Sequence, residues 1–197
     1  MDTLTLDLLA LLDQLGLEAV HYVGLSMGGF VGMRLAARHP DRVLSLTLLD
    51  TSAGPEDPEN VPKYKLLANI YRLVGMRPVR GQVEPLMFGP STRSDPKGRT
   101  RIEEFNTRLK KVNRAGMKRA IHGVVERQPI ADEIGGIRAR TLVAVGADDA
   151  STPPAKSEAI AASIDGAKLE IIPDAGHSST VEQPEVLTRL IREHIGG

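Results

Sequence analysis

Residues 21–30 read HYVGLSMGGF. A short apolar run, VHYVGL (20–25), meets a helix-like stretch, MGGFVGMRLAARHP (27–40), at Ser26, with a glycine two residues to either side. This G-x-S-x-G at a strand-to-helix junction constrains the fold more than any other feature of the chain. The serine of such a motif sits on a sharp, strained turn, and the flanking glycines let strand and helix approach closely. Its hydroxyl then projects above the carboxyl end of a sheet. The amide of Met27, at the helix N-terminus, can donate to a developing oxyanion. A glycine-rich helix start with serine as N-cap would look the same over five residues, so the weight of the motif lies in its surroundings.

Those surroundings alternate. Leucines at 4, 6, 8, 9, 11, 12 and 15 recur at helical spacing before Gly16, which predicts a helix over 3–15. Strands follow at 20–25, at RVLSLTLLD (42–50), at ARTLVAVGA (139–147) and at AKLEIIP (167–173). Helices are expected at 27–40, at PPAKSEAIAASI (153–164) and at QPEVLTRLIREHI (183–195), the last two with proline in the first turn. Strand and helix in alternation predict an α/β fold with a parallel sheet of about four strands. Residues 55–131 interrupt the rhythm with helical stretches separated by a turn-rich segment, GPSTRSDPKG (89–98). They are too long for a crossover and read as a helical insertion, leaving 1–54 and 132–197 as the core.

At 197 residues the chain can bury one substantial core. Lys plus Arg equals Asp plus Glu at 25 each, so overall charge points to neither nucleic acid nor an acidic surface as partner. The insertion departs from this balance: residues 55–127 hold 16 Lys/Arg against 8 Asp/Glu. That excess suits either an anionic substrate or solvated helix faces. There are no cysteines, hence no disulfide or thiolate metal site. The first 20 residues are apolar but carry Asp2, Asp7 and Asp13 without a basic lead, unlike a secretory signal. No run reaches the roughly 20 apolar residues of a membrane span. The expectation is a cytoplasmic protein with no membrane or nucleic-acid partner, no metal and no cofactor.

Gly146-Ala147-Asp148-Asp149 directly follows the third strand, and Ala175-Gly176-His177 follows the fourth. Serine, acid and histidine, each after a parallel strand, arrive at one edge of the sheet. There His177 can take the proton of Ser26 while an acid fixes the imidazole tautomer. Asp148 and Asp149 both sit where that acid is needed, and Asp50 closes the second strand. In the insertion, Tyr64, Tyr71, Met76, Met87 and Phe88 suit either a pocket wall or core filling, with core favoured for each. His122 and Arg127 are its polar candidates.

Taken together, GLSMGG, LLDTSAG, TLVAVGADDASTPP and IIPDAGHSSTVEQPE resemble an α/β-hydrolase, in particular the 3-oxoadipate enol-lactonase-like branch. The resemblance implies Ser26 as nucleophile, His177 as base, and Asp149 as acid, the last residue of a G-x-x-D pattern. Asp50 stands where some relatives carry the acid. It further implies that 55–131 is a cap over the active site and that Met27 supplies an oxyanion-hole amide. The expected reaction is hydrolysis of a small carboxylic ester or lactone through an acyl-enzyme. A C–C hydrolase, a cofactor-free perhydrolase and a non-catalytic binding module are the alternatives on the same scaffold.

The pattern departs from the family before residue 20. In the family the nucleophile follows the fifth of eight strands, so strands one to four, roughly 70 residues at ordinary element lengths, have no counterpart. The HG-type loop that carries the second oxyanion amide belongs to that part, and the one His-Gly pair here is His122-Gly123, inside the insertion. The chain then reads either as a shortened or internally initiated form of a longer hydrolase, or as a small protein completed by association. Both readings predict impaired catalysis. Strand 20–25 would be an open apolar edge, so a homo-oligomer through that edge is expected, most simply a two-fold dimer.

Overall fold

The computed structural model describes residues 1–196. Four strands, β1 (Val20–Leu25), β2 (Val43–Leu49), β3 (Arg140–Gly146) and β4 (Lys168–Ile172), form one parallel sheet in the order β1-β2-β3-β4. This is the expected α/β architecture, with each strand within a residue or two of its predicted limits. The inner strands β2 and β3 are buried almost throughout, as near-continuous apolar runs between two parallel neighbours must be.

One face is covered by α1 (Asp2–Gln14), α2 (Met27–Arg38) and α8 (Pro154–Ser163). There Phe30, Met33 and Leu35 of α2 and Ile160 of α8 pack on Leu46 and Leu48 of β2 and Val143 of β3. The opposite face receives α10 (Pro184–Gly196), whose Leu187 meets Leu49, Ala144 and Ile172. The α1 helix ends as Gly16 predicted. Gly16 takes a φ of 66°, its N–H bonds the Asp13 carbonyl at 3.1 Å, and the Leu17 N–H reaches Leu12 at 2.9 Å. The leucine face is a different matter. Within α1 only Thr5 and Leu12 are buried, Leu8 and Leu9 are half-buried against the core, and Leu4, Leu6 and Leu11, with Leu15 just past the helix end, face outward.

Between β2 and β3 the chain is helical: α3 (Asn60–Val74), α4 (Arg80–Met87), α5 (Pro90–Ser94), α6 (Pro96–Leu109) and α7 (Arg114–Val125). The segment 89–98, expected as turns, starts two of these helices, because Pro90 and Pro96 each occupy the first helical position, where a missing N–H costs nothing. Asp95 caps α6 by accepting the Gly98 N–H at 2.8 Å, and Asn113 caps α7 through Gly116 at 2.9 Å. A second short helix, α9 (Ser179–Glu182), follows His177 directly and was not expected. No described helix is long and apolar enough to cross a membrane.

Candidate active site

Ser26 occupies the junction of β1 and α2 at φ 50° and ψ −109°, a conformation costly to a non-glycine residue. Its backbone is held from three directions. The N–H donates to Leu49 of β2 at 2.8 Å, and the carbonyl accepts from the Phe30 N–H at 3.2 Å and the Thr51 hydroxyl at 2.8 Å. Close approach is real but differs from the motif's symmetry. A Cβ on Gly24 would lie 2.5 Å from the Gly28 backbone, and one on Gly29 would lie 2.4 Å from Thr51 Oγ1. At Gly28 the nearest atom is the Tyr22 hydroxyl, 3.9 Å away, so the second tight glycine is Gly29. Met27, first residue of α2, has no intrahelical acceptor for its N–H.

His177 lies in the loop after β4, and its Nε2 stands 2.9 Å from Ser26 Oγ. Its Nδ1 faces the Asp149 carboxylate at 2.9 and 3.1 Å. Asp149 is itself fixed by its own loop: Oδ1 accepts the N–H groups of Ser151 and Thr152 at 2.8 Å each, and Oδ2 accepts the Thr152 hydroxyl at 2.7 Å. These donors fill the remaining lone pairs and leave the carboxylate one orientation, toward the imidazole. Asp148 is exposed and makes no contact with His177. The serine, histidine and acid expected from the sequence are therefore brought together in one hydrogen-bonded line, with Asp149 in the acid position. The signal that separates Asp149 from its neighbour is local: an aspartate two and three residues before Ser and Thr closes an Asx-type turn.

Asp50, the other candidate acid, is fully buried beside this line but turns away from the imidazole. It accepts the Gly146 N–H at 2.9 Å and the Ser179 hydroxyl. Burial pushes its pKa up to about 7, against the pull of those two hydrogen bonds and of His177. For His177 burial is again the largest influence and lowers the pKa. The hydrogen bond and charge of Asp149, with the charges of Asp50 and Glu182, outweigh it, and the net shift is upward from 6.5.

Glu182 is a residue that sequence reasoning missed. Its buried carboxylate accepts the Gly89 N–H and the Gly176 N–H, each at 2.8 Å. It thereby staples the α4–α5 junction onto the histidine loop. The two backbones touch: a Cβ on Gly176 would lie 2.4 Å from Gly89 N. Ser178 N–H to the Met87 carbonyl and Ser151 hydroxyl to the Leu86 carbonyl, both 2.8 Å, complete the tie.

Of the remaining candidates, Phe88 is core, edge-on to Phe105 with centroids 5.3 Å apart. Tyr64 packs on the Leu67–Tyr71–Val79 cluster. Tyr71 is a buried member of that cluster and Met76 packs on it, and both, with Met87, also line a cavity. Arg127 is buried, bonded to the Gly54 carbonyl at 3.0 Å and to Glu56 at 2.9 Å, and lies over the Phe30 ring. It is a structural tie between the two ends of the insertion. His122 stands 4.0 Å from Glu126 and touches none of the three aligned residues. Among the described residues no cluster of His, Asp and Glu is arranged to hold a metal.

Residues 1–184 match the family model described as the alpha/beta hydrolase fold. The chain belongs to the α/β-hydrolase family. Among solved structures it is similar to a thermophilic esterase from Thermogutta terrifontis, at 34% identity and a TM-score of 0.85, over 96% of this chain and 69% of that one. It is also similar to the enol-lactonase from Burkholderia xenovorans LB400, at 27% identity and a TM-score of 0.89, over 100% of this chain and 73% of that one. A 2-hydroxy-6-oxononadienedioate/2-hydroxy-6-oxononatrienedioate hydrolase of Cupriavidus pinatubonensis is 26% identical over 94% of this chain and 65% of its own length. The chain thus spans about two thirds to three quarters of these relatives. The family is one of hydrolase enzymes, and its members here carry different substrate names.

Proposed function

We propose that this chain is a serine hydrolase that cleaves a small carboxylic ester or lactone through an acyl-enzyme at Ser26. The observation that carries this reading is the unbroken line Ser26 Oγ–His177 Nε2–His177 Nδ1–Asp149, with both links at 2.9 Å. Nδ1 holds its proton toward Asp149, which leaves the Nε2 lone pair to accept the serine proton as Oγ attacks the carbonyl carbon. The oxyanion that forms lies against the N–H of Met27, reinforced by the N-terminal end of α2. The imidazolium then protonates the leaving alkoxide, and a water molecule activated by the same Nε2 releases the acid. In this reading the helices of 55–131 act as a cap over the site.

One oxyanion donor is assigned, Met27. An enzyme working with a single such donor is expected to turn over about 10²–10³-fold more slowly than one with two. The esterase and enol-lactonase names of the two similar structures support ester and lactone as the bond class.

A fluorophosphonate probe followed by peptide mass spectrometry tests the proposal. Phosphonylation of Ser26, absent in a folded Ser26→Ala variant that has also lost p-nitrophenyl acetate hydrolysis by at least about 10³-fold, is the expected result. A folded chain that is not labelled is a binding module on a hydrolase scaffold.

A further inference from the structure

Helices α3, α4, α6 and α7 do not pack to closure. Between them lies a cavity of about 220 Å³ whose walls include Leu67, Tyr71, Val79, Met76, Met87 and Met117 and present no polar surface. Tyr71 contributes its ring, the hydroxyl being directed to the Leu109 carbonyl. The basic excess of this segment does not reach the cavity. No Lys or Arg is among its lining residues, and Arg80 pairs with Glu84 and Glu103, Lys65 with Glu126, and Arg127 with Glu56.

Water entering such a space finds no hydrogen-bond partner, and a charged group would be stripped of solvent without compensation. Elsewhere an apolar cavity of ~150 Å³ stays dry and takes up benzene. The larger volume here suits a substituted benzene ring or a chain of roughly six carbons. Three of the six methionines of the chain line it, side chains that adjust their shape and contact aromatic rings favourably. One residue links the cavity wall to the histidine loop. Met87 forms part of that wall, while the Met87 carbonyl accepts the N–H of Ser178, next to His177.

We propose that this cavity is a binding site for an uncharged apolar group, an aryl ring or a chain of about six carbons. Either the tail of an ester held at Ser26 or a free apolar molecule presents that chemistry. Binding itself does not depend on Ser26 acting as a nucleophile. Only its use for a substrate tail rests on the reading proposed above.

The methionines provide the test. In protein carrying ¹³C-methyl methionine, 1-hexanol and benzene are expected to shift the Met76, Met87 and Met117 resonances saturably, leaving the core Met33 unchanged. Hexanoate at the same concentration should not. Ala68→Leu and Val83→Phe, which fill the cavity from two different helices, should each abolish the shifts, so that one variant remains if the other fails to fold. Absence of saturable shifts in the wild type, or equal shifts at Met33, overturns the site.

Two further readings separate the sources. A substrate tail predicts that the ratio of kcat/KM for p-nitrophenyl hexanoate over acetate exceeds about 10 and drops by a similar factor in either variant. A free ligand predicts a ratio near one that the variants do not change. If neither ester is hydrolysed, the serine-hydrolase reading fails, and the methionine shifts still decide the cavity.

Discussion

His177 is pulled in two directions, and the balance makes the acid assignment measurable. Burial disfavours the imidazolium, while the hydrogen bond and charge of Asp149 favour it more strongly, so the pKa stands above 6.5. A base must be neutral to accept the serine proton, so kcat/KM for p-nitrophenyl acetate should rise with pH to a midpoint above 6.5. In Asp149→Asn the strongest raising influences, its hydrogen bond and charge, are lost, while burial and the weaker pull of Asp50 and Glu182 remain. The midpoint should move to lower pH while the plateau drops on the order of 10³–10⁴-fold. A pH profile whose midpoint stays put would remove Asp149 from the acid role. Asp50 gives the opposite kind of signal. Its folded pKa of about 7 lies above the roughly 3.9 of an unfolded aspartate, so the native state binds the extra proton between those values. Its contribution to stability is complete below the unfolded pKa and falls as pH rises through about 7. Asp50→Asn keeps the acceptor for Gly146 and removes the titration. Urea denaturation should then show stability that changes less between pH 5 and pH 8 than in the wild type, with the variant the more stable protein at pH 8.

At the scale of elements, the candidate site depends on which loops are fastened together. The nucleophile turn and the Asp149 turn are local constructions, held by residues within a few positions or on the adjoining strand. The histidine loop is held by Glu182, whose carboxylate takes N–H groups from Gly89 and Gly176. Glu182→Gln keeps the size but turns an amide NH₂ toward one of those donors. It is expected to cost about 1–3 kcal/mol in stability and to speed amide exchange at Gly89 and Gly176 ahead of the β3 amides. Equal protection in variant and wild type would refute the staple.

This contrast also explains what could be read from the sequence. The four strands, the helices after β1 and β3, and the order serine–acid–histidine were legible because each is announced by a contiguous run with its own turn residue. Glu182 was not, since its partners lie 6 and 93 residues away and are backbone groups with no side-chain signature. The cavity was not, since four helices supply its wall. The leucine spacing of α1 announced the helix but not which of its leucines would be covered. Periodicity states that a face exists, and burial depends on a partner for it.

At the scale of the whole molecule the two sheet edges differ. The β4 edge carries Lys168 and Glu170, both exposed, which oppose pairing with another strand. The β1 edge carries no Lys, Arg, Asp or Glu, and among the described residues its one neighbour is β2. Tyr22 of β1 is covered by α2, lying against Gly32, but the other face is open: His21 is exposed and Val23 is 41% exposed. The outward leucines of α1 and its C-terminal end, with Leu6 62% and Leu15 61% exposed, add apolar surface of the kind that seeks a partner. A chain of these 197 residues is therefore predicted to self-associate, with two copies of β1 pairing antiparallel across a two-fold axis. Val23→Lys would place a charge in that contact on each copy without touching the core between α2 and the sheet. Sedimentation velocity from 1 to about 50 micromolar should show a dimer for the wild type and a shift toward monomer for the variant. A wild-type chain that is folded and monomeric across this range would rule out the β1 edge as an interface.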